Sequence, residues 1–162
     1  MKTSIGLSLL SAVLATSLYS ASLLANDDTQ ASATAKTQAA DVITFGKNDL
    51  AGVDLPQVAP LSKDIVISGS NQNWQKLLYV DQVGVAIWQS EAATLSLNPQ
   101  GIDEYIFVLE GELTLTSAAG KVSNFTVGDS FILPKEFIGT WQTHGKYRQL
   151  MVLNPSFLGE EH

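Results

Sequence analysis

From residue 41 onward the chain is a series of short apolar runs separated by turn-forming residues. The clearest are "VITF" at 42, "DIVISG" at 64, "KLLYV" at 76, "VGVAIWQ" at 83 and "ATLSL" at 93. After them come "EYIFVLEGELTLT" at 104, "KVSNFTV" at 121, "DSFILP" at 129, "FIGTWQT" at 137 and "YRQLMVL" at 147. None has the length of a typical helix, and β-branched and aromatic residues dominate. Many short strands spaced by turns predict an all-β fold, an antiparallel barrel or sandwich. "LTLT" at 113 alternates apolar and hydroxyl residues, as a strand with one wet face does. "EYIFVL" at 104 does not alternate. Ile106 and Val108 share a face with Glu104, and Tyr105, Phe107 and Leu109 share the other. Both faces are therefore expected to be covered, the outer one by a second subunit, which predicts a homodimer.

The first 25 residues differ from the rest. Lys2 precedes an apolar run from Ile5 to Leu24, interrupted by Gly6, Tyr19 and small hydroxyl residues, and Ala25 stands before a polar start. This is the pattern of a secretory signal peptide cleaved after Ala25. A retained anchor is the alternative, but the hydroxyl residues weaken the run as a membrane-spanning helix. Acylation as a lipoprotein would need a cysteine, and the chain has none. Residues 26–40, "NDDTQASATAKTQAA", are small and polar with nothing to bury, which predicts a disordered linker. Residues 41–162 are then one domain, large enough for a real core. The expected location follows: export across the inner membrane to the periplasm, with no stable membrane anchor after cleavage.

Composition narrows the chemistry. An exported chain without cysteine must be held by packing rather than disulfides. Catalytic thiols, thiolate zinc sites and iron–sulfur clusters are excluded by the same count. The net charge of -7, with no basic cluster, argues against nucleic acid and anionic membrane surfaces as partners. No phosphate-cradling glycine loop, Gly-x-Ser-x-Gly elbow or His-Glu-x-x-His is present. Asn124-Phe125-Thr126 fits a glycosylation sequon, a match frequent by chance.

Glu104 is the residue that asks for an explanation. A carboxylate opening an apolar strand is costly unless it is paired, hydrogen-bonded, metal-bound or protonated. Asn98 and Gln100 precede it at the same parity, across a segment that contains Pro99 and Gly101. Glu104, six residues, then Gly111 resembles the end of the first cupin motif, Gly-x5-His-x-His-x3–4-Glu-x6-Gly. Gly128, five residues, then Pro134 resembles the start of the second, Gly-x5-Pro-x-Gly-x2-His-x3-Asn. "DEYIFVLEGELTLT" followed by "VGDSFILPKEFIGTWQT" looks most like the cupins related to the C-terminal domain of (S)-ureidoglycine aminohydrolase. The resemblance runs from about Trp88 to Leu153. It implies a small double-stranded β-helix, a jelly-roll-like barrel, and in most members a metal held by the motif histidines and the glutamate.

The departures from that pattern fall on the metal ligands. The His-x-His slots hold Asn98 and Gln100, the second-motif histidine slot holds Gly139, and the slot of the second-motif glycine holds Glu136. Only two histidines exist: His162 ends the sequence, and His144 has the opposite parity to Gly139 and Trp141. Amides bind hard ions weakly and transition metals worse. The expectation is a pocket without metal or other cofactor. Its floor would be Glu104, Asn98 and Gln100, and its aromatic walls Trp141, projecting into the space left by Gly139, and Trp88. Lys135 at the mouth would supply a counter-charge. Such a lining suits a small polar ligand with an apolar face, sugar-like or nitrogenous. Each residue also has a plainer reading. Glu104 can be held by backbone N–H groups and buried water, the tryptophans can be core, and Asn98 can be a turn residue before Pro99. Gln100 and a Lys135–Glu136 pair can simply be surface.

Three functions remain open at this point: binding of a small polar metabolite, an enzyme using Glu104 as general acid or base, and a non-catalytic scaffold with a vestigial pocket. The enzyme reading includes hydrolysis of the ureidoglycine aminohydrolase kind. That activity pairs two cupin domains and uses a metal, whereas this chain offers one domain and no imidazole in the slots.

Overall fold

The computed structural model describes residues 41–155. The expected signal peptide (1–25) and linker (26–40) lie outside them. Among the described residues ten strands form two five-stranded antiparallel sheets. In chain order they are β1 (Val66–Gly69), β2 (Asn73–Val80), β3 (Gly84–Ser90), β4 (Ala93–Leu97) and β5 (Glu104–Glu110). The rest are β6 (Leu113–Ser117), β7 (Val122–Phe125), β8 (Ser130–Leu133), β9 (Gly139–Thr143) and β10 (Tyr147–Leu153). One sheet has the order β1-β4-β9-β6-β7 and the other β2-β3-β10-β5-β8. Apart from β2-β3 and β6-β7, neighbours in the sheets are not consecutive in sequence, so the chain winds between two layers as a jelly roll. The all-β expectation holds.

Nine of the ten apolar runs fall in strands; "VITF" does not. Residues 42–45 belong to no strand, with Val42 and Ile43 exposed, and a single helical turn, α1 (Lys47–Leu50), follows. The run has strand-forming residues but no pairing strand among the described residues.

Gly111 shows why the "LEGE" corner takes this form. Its φ is +81°, and a Cβ there would overlap the Lys146 carbonyl oxygen. Only glycine lets β5 turn into β6 with the start of β10 so close.

The core lies between the layers. Ile106 and Val108 of β5, Leu113 and Leu115 of β6, Leu95 and Leu97 of β4, and Met151 and Leu153 of β10 all face it. Strand alternation explains the choice: each is two residues from the next on its strand. The strongest landmark is an aromatic cluster of Trp88, Trp141 and Tyr147. Their ring centroids lie 5.8 to 6.3 Å apart, with interplanar angles from 61° to 86°. These edge-to-face contacts join β3 and β10 of one sheet to β9 of the other.

Candidate functional site

Glu104 enters the interior because parity puts it there. It pairs with Leu133 of β8, and the burial of β5 alternates with Glu104, Ile106 and Val108 inward. The residue is 4 % exposed. Among the described residues its carboxyl has no hydrogen-bonding or ionic partner. Burial therefore pushes its pKa from 4.5 up to about 7. Near neutral pH this group divides between an acid that donates and a carboxylate that accepts.

Glu104 lies at one end of the barrel. The connections 98–103 and 134–138 both cross between the sheets there, beside Leu97 and Leu133. They are tied together where the Gly101 N–H donates to the Lys135 carbonyl (3.1 Å) and the Lys135 N–H donates to Asp103 Oδ1 (2.8 Å). Ile102 and Phe137, one from each connection, pack onto the core. One row deeper, Phe131 stacks on Phe125 at 4.0 Å and tilts against Trp141 at 6.5 Å.

The sequence-predicted site residues separate into three groups. Glu104, Trp88 and Trp141 are buried in the interior. Gln100 is half-buried: its amide nitrogen donates to the Asn98 carbonyl (2.9 Å), while its Oε1 is buried with no partner among the described residues. Asn98 and Lys135 are exposed on the crossing loops. Asn98 thus serves a turn, contributing its main-chain carbonyl rather than its side chain, and it does not line the interior. Lys135 contributes its backbone to the loop tie.

The space beside Gly139 is also different from the expectation. A Cβ at that position would overlap the Thr116 carbonyl oxygen and meet the Phe137 ring at 3.0 Å. Glycine there allows close backbone approach of β6, and Trp141 instead packs in the aromatic cluster one row deeper. Its indole N–H is buried and without a partner among the described residues.

Sequence reasoning passed over other interior polar groups. Asn73 accepts from Trp88 Nε1 (3.2 Å) and donates to the Ala59 carbonyl (2.8 Å). The Tyr147 hydroxyl, whose pKa burial raises, donates to Gln149 Oε1 (2.9 Å). Gln149 pairs with both Trp88 and Val108, and its own amide N–H reaches only the Met151 sulfur at 3.9 Å. The signal was available: Tyr147, Gln149, Met151 and Leu153 share one parity in "YRQLMVL".

A first-row transition metal does not fit these residues. Among the described residues no three His, Cys, Asp or Glu side chains gather in a metal-ligand group. The second-motif histidine slot is filled against by Phe137 and Thr116, and the first His slot is an exposed turn. His144 is exposed on the outside of the β1-containing sheet, with Nε2 3.0 Å from the Thr114 hydroxyl.

The EutQ-like cupin domain model matches residues 80–149. A DUF861-family protein of unknown function from Pseudomonas syringae pv. tomato superposes with a TM-score of 0.57 at 20 % identity, over 62 % of this chain and 44 % of that one. This chain thus spans less than half of that relative's length. A cupin-like protein from Thermotoga maritima gives 0.50 at 15 % identity, over 63 % and 80 %. The putative ethanolamine utilization protein Q of Salmonella typhimurium gives 0.48 at 22 %, over 60 % and 80 %. No curated protein matches the chain. Nothing in these likenesses points to ureidoglycine aminohydrolase in particular. The fold is cupin-like, and residues 80–149 are similar in sequence to the EutQ-like cupin domain.

Proposed function

We propose that the protein is exported to the periplasm and that its barrel interior binds a small organic molecule with an apolar body and a hydrogen-bonding group, sugar-like or nitrogenous, without a metal. The observation that carries this reading is Glu104, 4 % exposed and without a partner for its carboxyl among the described residues. Such a group lowers stability, and its presence at the mouth of the barrel fits a requirement of binding or chemistry. The Trp141 indole N–H and Gln100 Oε1, both buried and without a partner among the described residues, support the same reading, since they offer one donor and one acceptor. A thermal-shift screen of sugars, ureides and amino acids at neutral pH tests it. At least one class is expected to raise Tm by several degrees in the parent and not in Glu104→Gln. No stabilisation by any class, in either protein, would leave a scaffold with a vestigial pocket.

The pKa near 7 favours a second reading, an enzyme in which Glu104 transfers a proton. Its mark would be turnover abolished in Glu104→Gln while ligand binding persists. Hydrolysis of the ureidoglycine aminohydrolase kind rests on motif resemblance alone, and the donor set does not fit that family's metal.

A further inference from the structure

The buried polar groups at the Glu104 end of the barrel call for a donor. The Glu104 carboxyl has no partner among the described residues, and neither has Gln100 Oε1 on the connection that crosses the same end. A carboxylate and an amide oxygen both accept. No cation from the surrounding elements meets them. On β5, Tyr105 is partly exposed and Glu110 is paired with Arg148. On β8, Leu133 and Phe131 pack on the core. On β10, the Tyr147 hydroxyl is taken by Gln149 Oε1, and Arg148 is bound to the Leu50 carbonyl, Gln89 and Glu110. The opposing sheet presents Leu95, Leu97, Leu113, Leu115 and Trp141. On the two connections, Asp103 accepts from the Lys135 N–H, and the side chains of Lys135 and Glu136 are exposed.

We infer that the ligand of this end is a primary amine bound as its ammonium ion, with its N–H groups directed to Glu104 and Gln100 Oε1 and its apolar body against Phe131 and Phe137. This rests on the binding reading above and names the class of ligand. Donor count favours the ammonium: it brings three N–H groups and no acceptor, to a place whose unmet groups are acceptors. Charge agrees. A carboxylate or phosphate ligand would set a second negative charge beside Glu104 with no interior cation to hold either. A neutral alcohol brings a single donor and leaves the carboxyl's burial uncompensated. Phe131 and Phe137, both partly buried and packed on the core at this end, offer ring faces that attract a cation. At longer range, a net charge of -7 raises the local concentration of cations and lowers that of anions.

Matched probes on one carbon skeleton test this: benzylamine, benzyl alcohol and benzoate, then butylamine, butanol and butyrate. In thermal shift on the tag-free protein near pH 7, the amine of at least one set is expected to raise Tm by several degrees, with the alcohol and the carboxylate well behind. Calorimetry of that amine in buffers of different ionisation enthalpy reads the proton. Glu104, with its pKa of about 7, must give one up to pair with an ammonium. Binding is therefore expected to release about half a proton near pH 7 and nearly one near pH 6, and to weaken about tenfold from pH 8 to pH 6. Glu104→Gln should abolish both the release and the preference for amine over alcohol. Gln100→Leu should weaken the amine about tenfold and keep the proton release, because Glu104 is still there. Circular dichroism of each variant verifies the fold. An alcohol or carboxylate that binds as well as its amine, amine binding without proton release, or an amine indifferent to either substitution would overturn the inference. Stabilisation by a sugar or ureide with none by the amines would overturn it and leave the binding reading standing. Silence from every compound would remove both.

Discussion

Replacing Glu104 by glutamine tests the interior from its most costly residue. Its folded pKa of about 7 stands above the unfolded value of 4.5. Below about pH 4.5 both states hold the proton, and burial costs nothing extra. As pH rises from there to about 7 the unfolded state loses its proton first, the folded state binds more protons, and stability falls. Above about 7 the loss is complete. A shift of roughly 2.5 units at 1.36 kcal/mol each gives a penalty of about 3 kcal/mol. Glutamine keeps the shape and cannot ionise. Its stability relative to the parent should therefore climb between pH 4.5 and 7 and level off near 3 kcal/mol, roughly 10 °C in Tm for a domain this size. Subtracting the two proteins' curves, measured by urea unfolding at a series of pH values, removes every other titrating group. A flat difference would mean that water or an unseen partner already solvates Glu104. A difference of opposite sign would mean a carboxylate stabilised by a positive charge. Either result refutes the reasoning.

Arg148→Ala should lose roughly 1–3 kcal/mol in chemical denaturation, because it removes the hydrogen bonds to the Leu50 carbonyl and Gln89, while the partly exposed Glu110 keeps Lys146. Arg148→Met should lose less, since it keeps the packing and removes the charge. Gly139→Ala should cost roughly 1–3 kcal/mol by driving β9 away from the Thr116 carbonyl, read as a fall in the urea midpoint at constant slope. Trp141→Phe should cost less than Trp141→Ala, for which about 3–5 kcal/mol is expected. Its N–H has no partner among the described residues to lose. The proposed export predicts that mass spectrometry of the periplasmic fraction gives the mass of a chain beginning at Asn26, and a full-length mass would contradict cleavage.

Much of the fold was legible because strands write their parity into the sequence. Glu104, Ile106 and Val108 alternate inward as their spacing requires, and "YRQLMVL" matches β10 from end to end. What failed were positions whose fate is decided by distant neighbours. "VITF" has the residues of a strand but no partner edge. Asn98 has the right parity for the interior, yet the loop bends before parity can act on it. The space beside Gly139 belongs to Phe137 and to β6, which no local pattern announces. Arg148 is buried on an outer face because Leu50 and Gln89, far from it in sequence, come to meet it. The interior amide of Gln149 was readable from alternation but was overshadowed by motif positions. A motif locates the place where chemistry occurs in related folds, and the packing around it decides which side chains reach that place.

The claim on which the functional account depends is that this cupin interior recognises its ligand through Glu104 and its polar neighbours rather than through a metal ion. Elemental analysis of the tag-free protein, isolated from its own compartment without chelators, tests this most directly. The account predicts manganese, iron, zinc and nickel all far below one per chain, and no change in the small residue when Glu104 becomes glutamine. One equivalent of any of them in the parent, lost in Glu104→Gln, would contradict it.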